Sequence, residues 1–242
     1  MMITNKIYQV LGGMYANIAN IFIIKEKDFL IMIDAAENEY DYTLIEDNLK
    51  RWGLIDYQIA YVLVTHKHQG HIGNLKKLKD NGSTIIAGEG DAKDIEMGNI
   101  NSIIDFSPFP ERENYKKCKI DILVNDNEIL CLGDTKVRCI AVPGHTSGSM
   151  MYQVECERQI ILFAGDIIKI EKDCHEVSLG WEGGEDFNAQ QYFDSISKII
   201  NIPCDILLPS HGQICMTNGH KMFKLLMNEA LLKWRKPSII IE

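Results

Sequence analysis

The chain has 242 residues, 46% of them hydrophobic and 24% charged, with a net charge of −9. That length can bury a substantial core without disulfide or metal support, and the composition is ordinary for a globular protein. The acidic balance repels phosphate backbones, which counts against nucleic acid as a general partner.

Residues 1–10 lack the basic-then-apolar pattern of a secretory signal. No run approaches the ~20 apolar residues needed to span a bilayer, so no membrane association is expected. Two short apolar runs, 18–24 and 29–33, flank a polar stretch at 25–28 and read as a hairpin. Over 42–52 the apolar positions Leu44, Ile45, Leu49 and Trp52 have helical spacing. A buried strand is expected over 59–64, a short helix over 74–80 ended by Asn81-Gly82, and a strand over 83–87. Residues 98–119, with Ser-Pro-Phe-Pro inside them, read as a surface loop near the site. Strands are expected over 127–130, 137–142, 150–154, 160–163 and 206–208, and helices over 189–200 and 219–233. Residues 238–241 read as a closing strand. Helices and strands mix in both halves without a repeat or a linker. Residues 1–242 are therefore read as one α/β domain, two sheets covered by helices.

The seven cysteines are odd in number and include no C-x-x-C pair. Cys118, Cys131, Cys139, Cys156, Cys174, Cys204 and Cys215 are expected to be free thiols, with the cytoplasm as the compartment.

The chemistry concentrates after the strand at 59–64, in Thr65-His66-Lys67-His68-Gln69-Gly70-His71. Residues two apart on an extended segment project to one side, so His66 and His68 can grip one ion. Gly70 lets the chain turn, and His71 then faces the same cavity from the start of a helix. Neutral imidazole suits zinc, iron or manganese. Seven histidines scattered at random would give this spacing about 0.006 times in such a chain, so chance explains it poorly. Three further segments place ligand types in loops or at strand ends: Pro143-Gly144-His145-Thr146-Ser147-Gly148-Ser149, Ala164-Gly165-Asp166 and Pro209-Ser210-His211-Gly212. Each alone reads as a turn or a solvated loop; together they leave only His175 and His220 outside the set.

With these runs in this order, the chain resembles the metallo-β-lactamase superfamily from about Ile18 to His211. Asp34, in Met32-Ile33-Asp34-Ala35, matches the family's early strand-end aspartate and is read as a partner of a ligand rather than a ligand. The resemblance implies an αββα sandwich of two mixed sheets, with the site along one edge. It implies one metal on His66, His68 and His145. A second would lie on His71 and His211, with Asp166 bridging the two, and Asp166 and His211 would also be catalytic. The family's motif is H-x-H-x-D-H, and Gly70 stands where that aspartate would be. The second site is therefore expected to be weaker, or filled only with substrate.

The expected function is hydrolysis of a cytoplasmic ester, thioester, lactone or phosphoester by a metal-bound hydroxide, with one or two zinc ions, or iron or manganese in their place. The partner is a small-molecule substrate. One alternative is a mononuclear iron oxygenase of the persulfide dioxygenase kind. Another is a metal-binding non-enzyme with a degenerate second site. His175 reads as a solvated loop histidine. Trp181, set among glycines, reads either as the mouth of a pocket or as a packed surface residue. Met14 and Tyr15 are candidates for a cleft wall.

Overall fold

The computed structural model describes residues 1–12, 18–99 and 115–234. Its strands form two sheets. The first has the order β1 (Ile7–Leu11), β2 (Ile21–Lys25), β3 (Phe29–Ile33), β4 (Gln58–Val64), β5 (Thr84–Gly88), β6 (Ile122–Val124). The pairs β1–β2 and β2–β3 are antiparallel, and those from β3 to β6 are parallel. The second sheet runs β7 (Ile129–Leu132), β8 (Thr135–Ala141), β9 (Met150–Cys156), β10 (Gln159–Ile170), β11 (Val177–Ser178), and β12 (Ile206–Gly212) pairs parallel to β10.

Both sheets are covered on both faces, and the strand sequences show why. β2 reads Ile-Phe-Ile-Ile and β3 reads Phe-Leu-Ile-Met-Ile. Such unbroken apolar runs suit strands buried from two sides rather than half-solvated ones. Alternation divides their side chains. Phe22, Ile24, Ile31, Ile33 and Leu63 point between the sheets and meet Val137, Tyr152, Ile161, Phe163 and Leu208 of the second sheet. Ile21, Ile23, Leu30, Met32 and Val62 point outward and pack under α1 (Glu39–Arg51), α2 (Gln69–Ile72), α3 (Leu75–Asp80) and α4 (Glu89–Met97). On the far side, Ile140, Met151, Leu162 and Ile168 pack under α5 (Ala189–Ile199) and α6 (His220–Trp234). The layers are helix, sheet, sheet, helix, as the sequence resemblance implied. Asn38 and Asn188 start α1 and α5 by accepting bonds from the N–H groups of Asp41 and Gln191, which fills donors that a helix start leaves open.

Several sequence expectations need correction. The strands β1, β6 and β11 and the helix α4 stand where no element was expected. The strand expected over 160–163 is β10, which continues through Gly165-Asp166 to Ile170, so Asp166 lies within a strand rather than at its end. β12 likewise continues through His211. The strand expected over 127–130 begins at Ile129 instead. The readings of Met14, Tyr15, most of the 98–119 loop and the closing strand at 238–241 lie outside the described residues. Among the described residues, no helix is long and apolar enough to cross a membrane.

Candidate metal centre

β4 is a central strand, held between β3 and β5, and the histidine run begins two residues past its end. Its last turn into the loop is fixed from several sides. Tyr152 Oη donates to Val64 O at 2.6 Å, and the Met150 N–H donates to Thr65 O at 2.8 Å. Both donors come from β9 of the other sheet, so the loop sits on the seam between the sheets. His66 and His68 flank Lys67, whose side chain turns the other way into a group of carboxylates. His71 lies in the short α2. Gly70 lies there too, and it does not have a left-handed φ; a Cβ added to it would meet nothing within 4 Å. The turn therefore does not depend on glycine.

The structure brings all six candidate ligands together. The rings of His66, His68 and His145 form a near-equilateral triangle, with centroids 4.6–4.7 Å apart. One ligand atom from each lies within 4.8 Å of the others. The same holds for His66, His71 and Asp166. The Asp166 carboxylate is ringed by four imidazole Nε2 atoms. Those of His66, His145 and His211 lie 3.7, 3.5 and 3.5 Å from Oδ2, and that of His71 lies 3.7 Å from Oδ1. These separations are too long for hydrogen bonds. Accordingly, His66 Nε2, His145 Nε2 and Asp166 Oδ1 are buried and have no hydrogen-bond partner among the described residues. Buried polar atoms left bare are costly and uncommon. A cation among these lone pairs would satisfy all of them, so the residues present fit a metal ion.

In His66, His71 and His145 the other ring nitrogen has a partner, and this bears on the tautomers. Asp34 is fully buried and accepts from Thr65 N at 2.7 Å and from Thr65 Oγ1 at 2.8 Å. It also faces His71 Nδ1 at 2.9 Å. A carboxylate only accepts, so His71 Nδ1 carries a proton and Nε2 is the nitrogen left for a metal. Thr65 Oγ1 has given its proton to Asp34, so it accepts from His66 Nδ1 at 3.0 Å. His145 Nδ1 donates to Trp181 O at 2.9 Å. All three rings thus turn Nε2 toward the cavity, the arrangement that metal-binding histidines need.

The electrostatics agree. Burial first, then the neighbouring rings of His71 and His145, hold His66 well below the ordinary histidine value. Burial, with His145 adding to it, pushes His68 down to about 3. Burial also lowers His145 and His211. These imidazoles are neutral at pH 7, the form that binds metal. His71 goes the other way: burial lowers it, but the Asp166 and Asp34 carboxylates outweigh burial. Burial opposes ionisation of Asp166, yet the surrounding histidines, His211 foremost, bring its carboxyl down to about 2.

Trp181, read as the mouth of a pocket or a packed surface residue, stands with its indole edge-on to His68, centroids 5.5 Å apart, and its main-chain carbonyl, which the sequence does not reveal, holds His145. Asp91, in the first turn of α4, escapes the sequence reading altogether. It is buried and accepts bonds from both ligand-bearing loops: Lys67 N and Thr146 Oγ1 on Oδ2, and Gly148 N on Oδ1. His175 is exposed, as expected, and stands outside both groups of candidate ligands.

A family model described as the metallo-beta-lactamase superfamily matches residues 14–211, and the chain belongs to that superfamily. Among curated proteins it is similar to a hydroxyacylglutathione hydrolase from Pelagibacter ubique, at 26% identity over 81% of this chain and 66% of that one. A probable polyketide biosynthesis zinc-dependent hydrolase from Bacillus velezensis is 26% identical over 92% of this chain and 84% of its own length. The chain spans 61% to 66% of the length of the hydroxyacylglutathione hydrolases from Francisella tularensis subsp. novicida and Pelagibacter ubique. Among solved structures, a metallo-beta-lactamase from Cronobacter sakazakii superposes with a TM-score of 0.73 at 17% identity, over 98% of this chain and 95% of that one. A beta-lactamase from Chitinophaga pinensis gives 0.71 at 20% identity, over 94% and 89%. At these identities the structural likeness shows the fold alone.

Proposed function

We propose that this chain is a metal-dependent hydrolase of a small-molecule acyl substrate, with a thioester as the favoured class. The observation that carries the reading is the Asp166 carboxylate ringed by four imidazole nitrogens at 3.5–3.7 Å, with buried lone pairs left bare. In this reading His66, His68 and His145 hold one ion, His71 and His211 hold a second, and Asp166 serves both. Zinc is the favoured metal, because nitrogen and oxygen donors in this number suit it and the Bacillus relative is named zinc-dependent. A divalent ion bound there supplies Lewis acidity toward a carbonyl and lowers the pKa of water toward ~7.

The chain's own residues supply the frame. Asp34, Thr65 and the Trp181 carbonyl hold the imidazoles of His71, His66 and His145 with Nε2 inward. Trp181 and the glycines after it form a wall beside His68, against which a substrate can lie. In the same reading Asp166 and His211 act on substrate as well as on metal, and the partial exposure of the His211 side chain supports its part. The thioester preference rests on the relatives named for hydroxyacylglutathione, an acylated thiol. Residues 1–242 acting as one domain in a reducing cytoplasm belong to the same reading, and the seven unpaired cysteines support it.

The test is metal analysis joined to turnover. Protein purified without added metal should carry zinc. Chelation should abolish thiol release from acyl thioesters such as acylglutathiones, and zinc should restore it. A zinc-loaded protein inert toward thioesters, esters, lactones and phosphoesters would overturn the reading.

A further inference from the structure

We propose that Asp91 is a positioning residue that sets the distance between the His66–His68 pair and His145. This inference rests on the metal-centre reading above. The two histidine-bearing loops come from different sheets, and one main-chain bond, from Met150 N–H to Thr65 O at 2.8 Å, joins them near their bases. Asp91 bridges them directly. Its Oδ2 accepts from the N–H of Lys67, the residue between His66 and His68, at 2.8 Å, and from Oγ1 of Thr146, the residue after His145, at 2.7 Å. Its Oδ1 accepts from Gly148 N at 2.8 Å and from Ser147 Oγ at 3.4 Å. One side chain, 1% exposed, thus holds both loops by their backbones.

The surroundings leave it little freedom. A Cβ on Gly148 would stand 2.2 Å from Asp91 N, so the 145–149 loop lies directly on the start of α4. The Lys67 side chain closes a second link around the same point. Its Nζ lies 2.5 Å from Asp94 of α4 and 2.9 Å from Asp186, whose Oδ2 accepts from Ser147 N at 2.9 Å. The carboxylate only accepts, and three donors hold it, two backbone N–H groups and the Thr146 hydroxyl, with Ser147 Oγ beside them and nearer to Gly90 O at 3.1 Å. An amide in its place keeps one acceptor oxygen and turns an N–H₂ group on the remaining donors. Loss of the bridge therefore lets the His145 loop move relative to His66 and His68.

The experiment is cobalt(II) titration against a competing chelator, with visible absorption as the report on ligand geometry. It uses the full chain as wild type, Asp91→Asn, Thr146→Val and Thr146→Ser, with urea unfolding of each metal-free protein alongside. Asp91→Asn and Thr146→Val should weaken binding of the first ion by ~10–100-fold, the scale seen for residues that orient ligands. Both should also alter the cobalt spectrum, and Thr146→Ser, which keeps the hydroxyl, should restore both. If Asp91→Asn and Thr146→Val lose stability but keep wild-type cobalt affinity and spectrum, Asp91 is only structural and the proposal falls. If Asp91→Asn does not fold, the Thr146→Val and Thr146→Ser pair decides in the same way. A wild-type protein that takes up no cobalt would overturn the metal-centre reading itself, and this inference with it.

Discussion

Replacing Gly70 by aspartate should strengthen the second half of the metal centre at almost no cost to the fold. Gly70 sits in the helical turn of α2, without a left-handed φ, and a side chain there enters open space. Strain and overpacking therefore contribute nothing. Helix propensity favours aspartate over glycine by about 0.3 kcal/mol, taking glycine at about 1 and aspartate near 0.7 relative to alanine. Stability of the metal-free protein should accordingly stay within about 0.5 kcal/mol of wild type. The gain is in binding. His71, His211 and the shared Asp166 offer the second ion two neutral donors and one anion, and a further carboxylate adds charge as well as a bond. Changes to residues that merely orient ligands shift affinity ~10–100-fold. A direct anionic ligand should raise second-ion affinity by at least about 10-fold, or 1.4 kcal/mol. Zinc titration against a chromophoric chelator, resolving two binding steps, measures this. A wild type that already binds two ions tightly, with Gly70→Asp no better, would show that Gly70 costs the site nothing.

Other consequences are equally direct. His66→Ala, His68→Ala and His145→Ala should each abolish tight binding of the first ion, and unchanged metal content in all three would refute the assignment. Asp34→Asn leaves buried donors of Thr65 and His71 badly matched; urea unfolding of the metal-free protein should show a loss of about 1–3 kcal/mol, and zinc affinity should also fall. All seven cysteines should titrate as thiols in denaturant. In the native protein exposed Cys131 should react first, while buried Cys118 and Cys139, pushed by burial up to about 11 and about 12, should lag. Burial raises the Asp121 carboxyl, but bonds from Ile85 N–H and Lys79 Nζ outweigh it and leave the pKa below the ordinary value. Its contribution to stability is then complete above the unfolded carboxylate pKa of about 3.9 and is lost as pH falls through the lower folded value. The stability gap between wild type and Asp121→Asn should close in acid.

The six candidate ligands were legible because histidine is scarce in this chain and five of its seven fall into the site. The layered fold was legible for a different reason: β2, β3 and β4 are apolar on both faces, which only a doubly covered sheet requires. Asp91 was not legible. It is one of 34 acidic residues, and two of its partners, Lys67 and Gly148, donate through backbone N–H groups, which any sequence provides. Trp181 serves His145 through a carbonyl, so its side chain carries no trace of the role. α4 leaves little trace in the sequence, because glycines stand at 88 and 90 and its buried apolar positions are only Ala92 and Ile95. β10 was cut short because Gly165-Asp166 looks like the end of a strand. In the folded chain its register against β12 shifts on both sides of Gly165, and the strand continues past the irregularity.

The position of the six residues on the seam also ties cargo to cohesion. His66, His68 and His71 follow a strand of the first sheet, while His145, Asp166 and His211 belong to the second. An ion held by both groups is a rivet between two half-structures, and it binds the native state far better than the open chain. Mass action then adds about 4.1 kcal/mol of apparent stability at a free concentration a thousand times the Kd. When metal is scarce, the first thing the molecule loses is the grip between its sheets at this edge. Cells starved of the ion should therefore hold this protein as a shorter-lived species, cut by proteases near the seam, along with the loss of turnover.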